Sequence, residues 1–162
     1  MGRKNNRIKT DYERENFNTR EFLKGDKVDR LLKEVSKPRY KKYDFKDIKI
    51  KKGEVYYVTL DSRTKLSGSE QAGVKPCVII QNDVGNKYST TTIVAVITSE
   101  NKKGLPTHIK INLGENGSTV MCEQIFTINK KRIHYLDTPC YTLTKEEINN
   151  LNDALKISLG VL

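Results

Sequence analysis

Apolar positions fall into three textures along the chain. Residues 1–18 are polar, rich in Asn, Lys and Arg, and carry no sustained apolar period, which predicts no fixed structure in isolation. Val28, Leu31, Leu32 and Val35 then recur at helical spacing behind Asp26, an N-cap candidate, and Pro38 limits the run, so one short amphipathic helix is predicted at about 26–36. Tyr40, Tyr43 and Phe45 alternate with Lys41, Lys42 and Lys46, a mixture suited to stacking bases or to lying along a sheet.

Beyond Lys51-Lys52-Gly53 the period becomes that of strands. Residues 54–60 alternate, residues 77–81 and 92–98 are short apolar β-branched runs, residues 108–113 alternate again, and residues 119–124 supply a further strand. Turn-rich stretches separate them, notably Ser67-Gly68-Ser69 and the run Asn82 to Asn86. A closing helix is marked by the capping-box spacing of Thr144 and Glu147 ahead of Ile148, Leu151 and Leu155, with Gly160 as its stop. Short strands, one terminal helix and no βαβ rhythm predict a strongly bent sheet or barrel with the helix laid on it.

Charge divides the chain at the same place. Of the 30 Lys and Arg and 20 Asp and Glu, residues 1–50 hold 16 and 9, so most of the +10 net charge lies in a basic N-terminal extension and residues 51–162 form the only mildly basic folded domain. Such a balance suits polyanion partners through counterion release but supplies no chemistry, and it serves solubility equally well. Cys77, Cys122 and Cys140 are odd in number and form no CxxC pair, which reads as reduced thiols. No window approaches a membrane span and the basic N-terminus lacks a signal-like apolar stretch, so a cytoplasmic protein with no membrane partner is expected.

Familiar catalytic patterns are missing. The sequence has no GxxxxGK, HExxH or GxSxG, and its two histidines, His108 and His134, are too few for an evident metal site. His108 stands in an alternating strand, where a structural role or exposure is expected before general-base duty. The unusual stretch is Gly68-Ser69-Glu70-Gln71-Ala72-Gly73-Val74-Lys75-Pro76, read as a polar loop that delivers a cation, a carboxylate and small donors to the rim of a sheet.

Together with Gly53-Glu54-Val55-Tyr56, the segment from Val78 to Ser89, Ile93 to Thr98, Leu105-Pro106-Thr107-His108, Glu123-Gln124-Ile125 and Ile157 to Gly160, that stretch resembles the core of the MazF/PemK toxins. The likeness runs from about Lys52 to the C-terminus. It implies a mainly β fold, an SH3-like barrel of the CcdB/Kid/MazF type with a C-terminal helix. It further implies a homodimer, a cognate antitoxin whose tail covers the RNA groove, and cleavage of single-stranded RNA through its own 2′-OH with neither metal nor other cofactor. Carried over by position, Thr98 matches the family's active-site threonine and Lys75 falls on its catalytic arginine; Ser69 and Gln124 line the groove, and Glu70 and Gln71 lie in the loop that closes on it.

Three positions depart from the family pattern. Lysine at 75 keeps the charge and loses the planar fork of a guanidinium. Phe126 stands where relatives often carry arginine, and residues 62–67 add Arg63 and Lys65 to the first loop, with Arg63 a candidate for the RNA groove. The expectations are therefore an endoribonuclease acting through Lys75 and Thr98, a weakened relative that binds RNA or antitoxin without turnover, or a gyrase poison of the CcdB type. For residues 1–50 the expectation is an auxiliary arm for RNA or a partner, set against a solvated tail.

Overall fold

A computed structural model of the chain describes residues 48–60, 71–100, 104–134 and 138–161. The predicted helix at 26–36 and the candidate residues Arg63, Ser69 and Glu70 lie outside these segments.

Seven strands form one antiparallel sheet: β1 (Glu54–Leu60), β2 (Gly73–Ile79), β3 (Thr91–Thr98), β4 (His108–Ile111), β5 (Ser118–Asn129), β6 (Ile133–His134) and β7 (Tyr141–Thr142). Their spatial order is β4-β5-β3-β2-β1-β6, with β7 paired to β1. Among the described residues two α-helices join the sheet, α1 (Asp83–Tyr88) between β2 and β3 and α2 (Lys145–Leu159) after β7.

Both faces of the sheet are covered, which explains why β1 and β3 are buried almost continuously where one covered face would give strict alternation. Val55, Val78, Ala95, Ile97, Ile109 and Val120 pack against Leu151 and Ala154 of α2. Tyr56, Val58, Cys77, Ile79, Val96 and Met121 point the other way and meet Ile48, Ile50 and Ile133 as the sheet curls into a half-barrel. The curl is helped by a bulge in β5. Ala95 pairs with Ile125 while its neighbour Val96 pairs with Met121, so Cys122, Glu123 and Gln124 have no partners on β3.

The predicted capping box is present. Thr144 Oγ1 accepts from the Glu147 N–H at 3.2 Å, Glu147 Oε2 accepts from the Thr144 N–H at 2.8 Å, and Gly160 ends α2 at φ 64°. Two segments differ from expectation. The run Asn82 to Asn86, read as a turn, starts helix α1: Asn82 caps it by accepting from the Gly85 N–H at 2.8 Å, and the Asn86 amide is buried between the Gln81 carbonyl and the Thr92 hydroxyl. Residues 73–76, read as loop, form the first half of β2, so Lys75 stands on a strand.

Candidate nucleic-acid interface at the strand-end rim

Pro76 shapes the region around Lys75. On one side β2 pairs with β1 along its whole length, from Val55↔Val78 to Leu60↔Gly73. On the other side the ladder to β3 runs only from Ile79↔Val94 to Cys77↔Val96. Proline has no N–H to extend it, so the ladder stops there and the last residues of β3 are unpaired on the β2 side. Continuing the same register by two places sets Lys75 across from Thr98. Both lie two residues from Cys77 and Val96, whose side chains point away from α2, so both share that face. The two residues singled out as catalytic thus lie on one face, each two residues beyond the last β2–β3 pair.

Thr98 is half-buried, and its Oγ1 accepts from the Glu100 N–H at 3.2 Å. With that lone pair engaged, the hydroxyl hydrogen is left to donate, and no acceptor for it is present among the described residues. Lys75 is half-buried on β2, and among the described residues its ammonium has no hydrogen-bond or ion-pair partner. A hydroxyl donor and an ammonium are the groups that an oxyanion site requires.

Other candidates are near without being part of that pair. Gln124 is half-buried in the β5 bulge, which lies at the level of Ala95 and Val96, two to three residues along β3 from Thr98. Gln71 is half-buried on the approach to β2, two residues before the left-handed Gly73 at φ 76°. Phe126 packs as a partly buried residue against the core on the face away from α2.

The sequence reading passed over a polar cluster at the same bulge. Glu123 accepts from the Thr107 hydroxyl at 2.9 Å and pairs with His108 Nε2 at 2.7 Å. Burial alone would raise its pKa, but the hydrogen bonds from His108, the backbone and Thr107 outweigh it and hold the carboxyl below the usual carboxylate value. His108 is thus oriented by an acid and ties β4 to the residue beside Gln124, a pairing that strand alternation alone cannot announce. The thiols are remote from such chemistry: Cys77 and Cys122 are buried, and burial pushes Cys122 up to about 12.

The described residues form a curled antiparallel half-barrel with a capped helix on one face, a compact β scaffold whose β2–β3 ladder ends short of Lys75 and Thr98. Sequence and structure comparisons assign it more narrowly. Residues 51–159 match the family of PemK-like, MazF-like toxins of type II toxin–antitoxin systems, and the chain belongs to that family. It is 41% identical over 118 residues to Endoribonuclease EndoA of Bacillus subtilis (strain 168), covering 70% of this chain and 97% of that protein. Its fold is shared with a mycobacterial endoribonuclease solved in complex with its cognate antitoxin, at TM-score 0.56 and 21% identity over 70% of this chain and 97% of that one. MazF from Deinococcus radiodurans gives TM-score 0.55 and 19% identity, over 70% and 99%.

Proposed function

We propose that the protein is the toxin of a toxin–antitoxin pair and cuts single-stranded RNA without a metal, at the site formed by Lys75 and Thr98. The observation that supports this reading is the β2–β3 register, which ends at Cys77↔Val96 two residues short of both Lys75 and Thr98, on the face the two residues share. In the reaction the 2′-oxygen attacks the adjacent phosphorus and loses its proton, while the bond from phosphorus to the 5′-oxygen breaks and that oxygen gains a proton. The products are a 2′,3′-cyclic phosphate and a 5′-hydroxyl. The RNA supplies its own nucleophile, so the protein has to align the strand and offset the charge that builds on the non-bridging oxygens. Thr98 donates to one such oxygen, and Lys75 offsets the charge beside it.

Ser69, Glu70, Gln71 and Gln124, with Arg63 from the inserted residues, are assigned to RNA binding. The protein works in the cytoplasm as a homodimer, and a cognate antitoxin silences it by laying its tail over the same groove. Residues 1–50 add a basic arm that contacts RNA outside the groove, which steepens the salt dependence of binding. No helix among the described residues is long and apolar enough to cross a membrane.

Mapping the ends produced on a long single-stranded transcript in excess EDTA tests the reading. Wild type yields defined 5′-hydroxyl ends, and Lys75→Ala and Thr98→Ala each lose them; a wild-type protein inert toward a diverse RNA pool refutes it. Lysine in place of a forked guanidinium favours one second reading, a relative that holds RNA without turnover. A large gain of cleavage in Lys75→Arg over an inert wild type would establish that reading.

A further inference from the structure

The cross-strand row that holds Lys75 and Thr98 continues onto two residues the family likeness does not touch. Thr98 pairs with Thr119 on β5, and Thr119 pairs with Lys110 on β4. Residues directly opposite in an antiparallel sheet share a face, so the order along the rim is Lys75, Thr98, Thr119, Lys110. Thr119 is fully buried, and its Oγ1 accepts from Lys110 Nζ at 2.7 Å. That bond draws the ammonium back from β4 over β5, the strand next to Thr98. Neighbouring strands are about 4.8 Å apart, so the charge is anchored one strand from the Thr98 hydroxyl, with Lys75 one strand away on the other side.

A groove of about 500 Å³ opens at this end of the row, lined by Lys110 and Thr119 together with Ser99, Glu100, Asn112 and Glu115 among others. Among the described residues that line it, Lys110 is the one cation, beside the carboxylates of Glu100 and Glu115, so any positive charge this lining offers a phosphate comes from Lys110.

We propose that Lys110 is a second phosphate-contacting residue of the cleavage site, reaching the RNA backbone from the side of Thr98 opposite Lys75. The inference rests on the reading of Lys75 and Thr98 as that site. A lysine is a point charge able to favour one oxygen, whereas a guanidinium spans two. Two ammonium groups on either flank of one threonine restore the spread of positive charge that a lone lysine at position 75 lacks. The buried hydroxyl of Thr119 fixes the position of the second.

The test measures kcat/KM for the full-length protein on a long single-stranded transcript across a series of KCl concentrations, and binding to the all-deoxy version of that strand, which cannot be cleaved. Lys110→Ala is expected to lower kcat/KM about 10- to 100-fold, the size of one lost charge-assisted contact. It also flattens the slope of log affinity against log salt by about 0.7, one single-strand phosphate contact. Lys110→Gln, which keeps a donor for Thr119 and removes the charge, behaves like Lys110→Ala in both readouts. Lys110→Arg retains most of the rate. A residue that merely ties β4 to β5 would change melting temperature and leave the salt slope alone.

Wild-type rate and slope in Lys110→Gln, with Lys75→Ala and Thr98→Ala inactive, overturns the proposal and leaves the site standing. Wild-type cleavage by Lys75→Ala and Thr98→Ala overturns the site itself, and the proposal with it.

Discussion

Replacing Glu147 tests how the C-terminal helix is fastened to the sheet. Its residue is 7% exposed. One carboxylate oxygen accepts from the Asn112 N–H at 3.0 Å and the other from the Thr144 N–H at 2.8 Å, while the Tyr141 hydroxyl lies 3.0 Å from each. The side chain is at once the N3 member of the capping box and the link from α2 to the end of β4 and to β7. Loss of a cap costs about 0.5–2 kcal/mol, and a buried donor stranded by loss of a charged acceptor costs about 1–3 kcal/mol. These overlap, so Glu147→Ala should cost about 3 kcal/mol, which at roughly 4 °C per kcal/mol lowers Tm by about 12 °C. Glu147→Gln is no rescue. Each oxygen serves a backbone N–H, so whichever becomes NH2 sets donor against donor, and a loss of about 2 kcal/mol is expected.

The same residue fixes the sign of the pH dependence. Burial alone would raise its pKa, but hydrogen bonds from the Thr144 and Asn112 backbone and from Tyr141 prevail and hold it below the usual value. A folded pKa below the unfolded one contributes stability that is complete above the unfolded value of about 4.3 and is lost as pH falls through the folded value. Thermal melts of wild type and Glu147→Gln should therefore differ most near about pH 7 and converge below about pH 4. Melts within about 2 °C of each other near neutrality, or a gap that persists unchanged into acid, would refute the hydrogen-bond assignment.

Three further outcomes are expected. Gly53 sits at φ 87°, and a Cβ there would lie 3.1 Å from Ile148 Cδ1, so Gly53→Ala should cost about 1–2 kcal/mol by strain and by pushing on α2, read as a lowered denaturation midpoint. Alkylation of native protein with iodoacetamide, counted by intact mass, should label at most the half-buried Cys140, because Cys77 and Cys122 are buried and burial keeps both thiols protonated; three rapid additions without denaturant would contradict this. Glu123→Ala frees His108 and Thr107 from the bulge, and it should lower kcat/KM about tenfold or less with a small change in Tm; an unchanged rate would separate the bulge from RNA binding.

How far the sequence reveals this molecule depends on the residue types at each point. Strand β1 is legible from the alternation read over residues 54–60, β3 from its unbroken β-branched and apolar run, and α2 because its cap and its stop are local chemistry. The start of β2 is hidden because Gly73 and Pro76 are residues that ordinarily mark loops. Pro76 is tolerated in an interior strand only because the β3 side of the ladder has ended. Helix α1 is hidden for a related reason: Asn82, Asp83, Gly85 and Asn86 suit a turn, and their helical use depends on the Thr92 hydroxyl and on Lys130, whose buried ammonium donates to the Asn86 carbonyl. At the site, motif likeness singles out Lys75 and Thr98 individually. Only the Cys77↔Val96 register puts them on one face, and alternation marks Lys110 as exposed without saying that its ammonium bonds Thr119 on β5.

The two lysines at the rim are held by different parts of the fold. Lys75 is fixed by the β1–β2 ladder, opposite the fully buried Val58, and its position owes nothing directly to α2. Lys110 stands two residues before Asn112, whose N–H is held by Glu147, so the end of β4 is clamped between β5 on one side and α2 on the other. A lesion that loosens α2 therefore disturbs one flank of the proposed phosphate site and spares the other. This division makes the lysine at 75 intelligible. A guanidinium carries its two donors on one rigid plane and needs support from one strand, whereas two ammonium groups must be positioned independently. The fold supplies that second support at Thr119, a buried hydroxyl on the strand between Thr98 and Lys110.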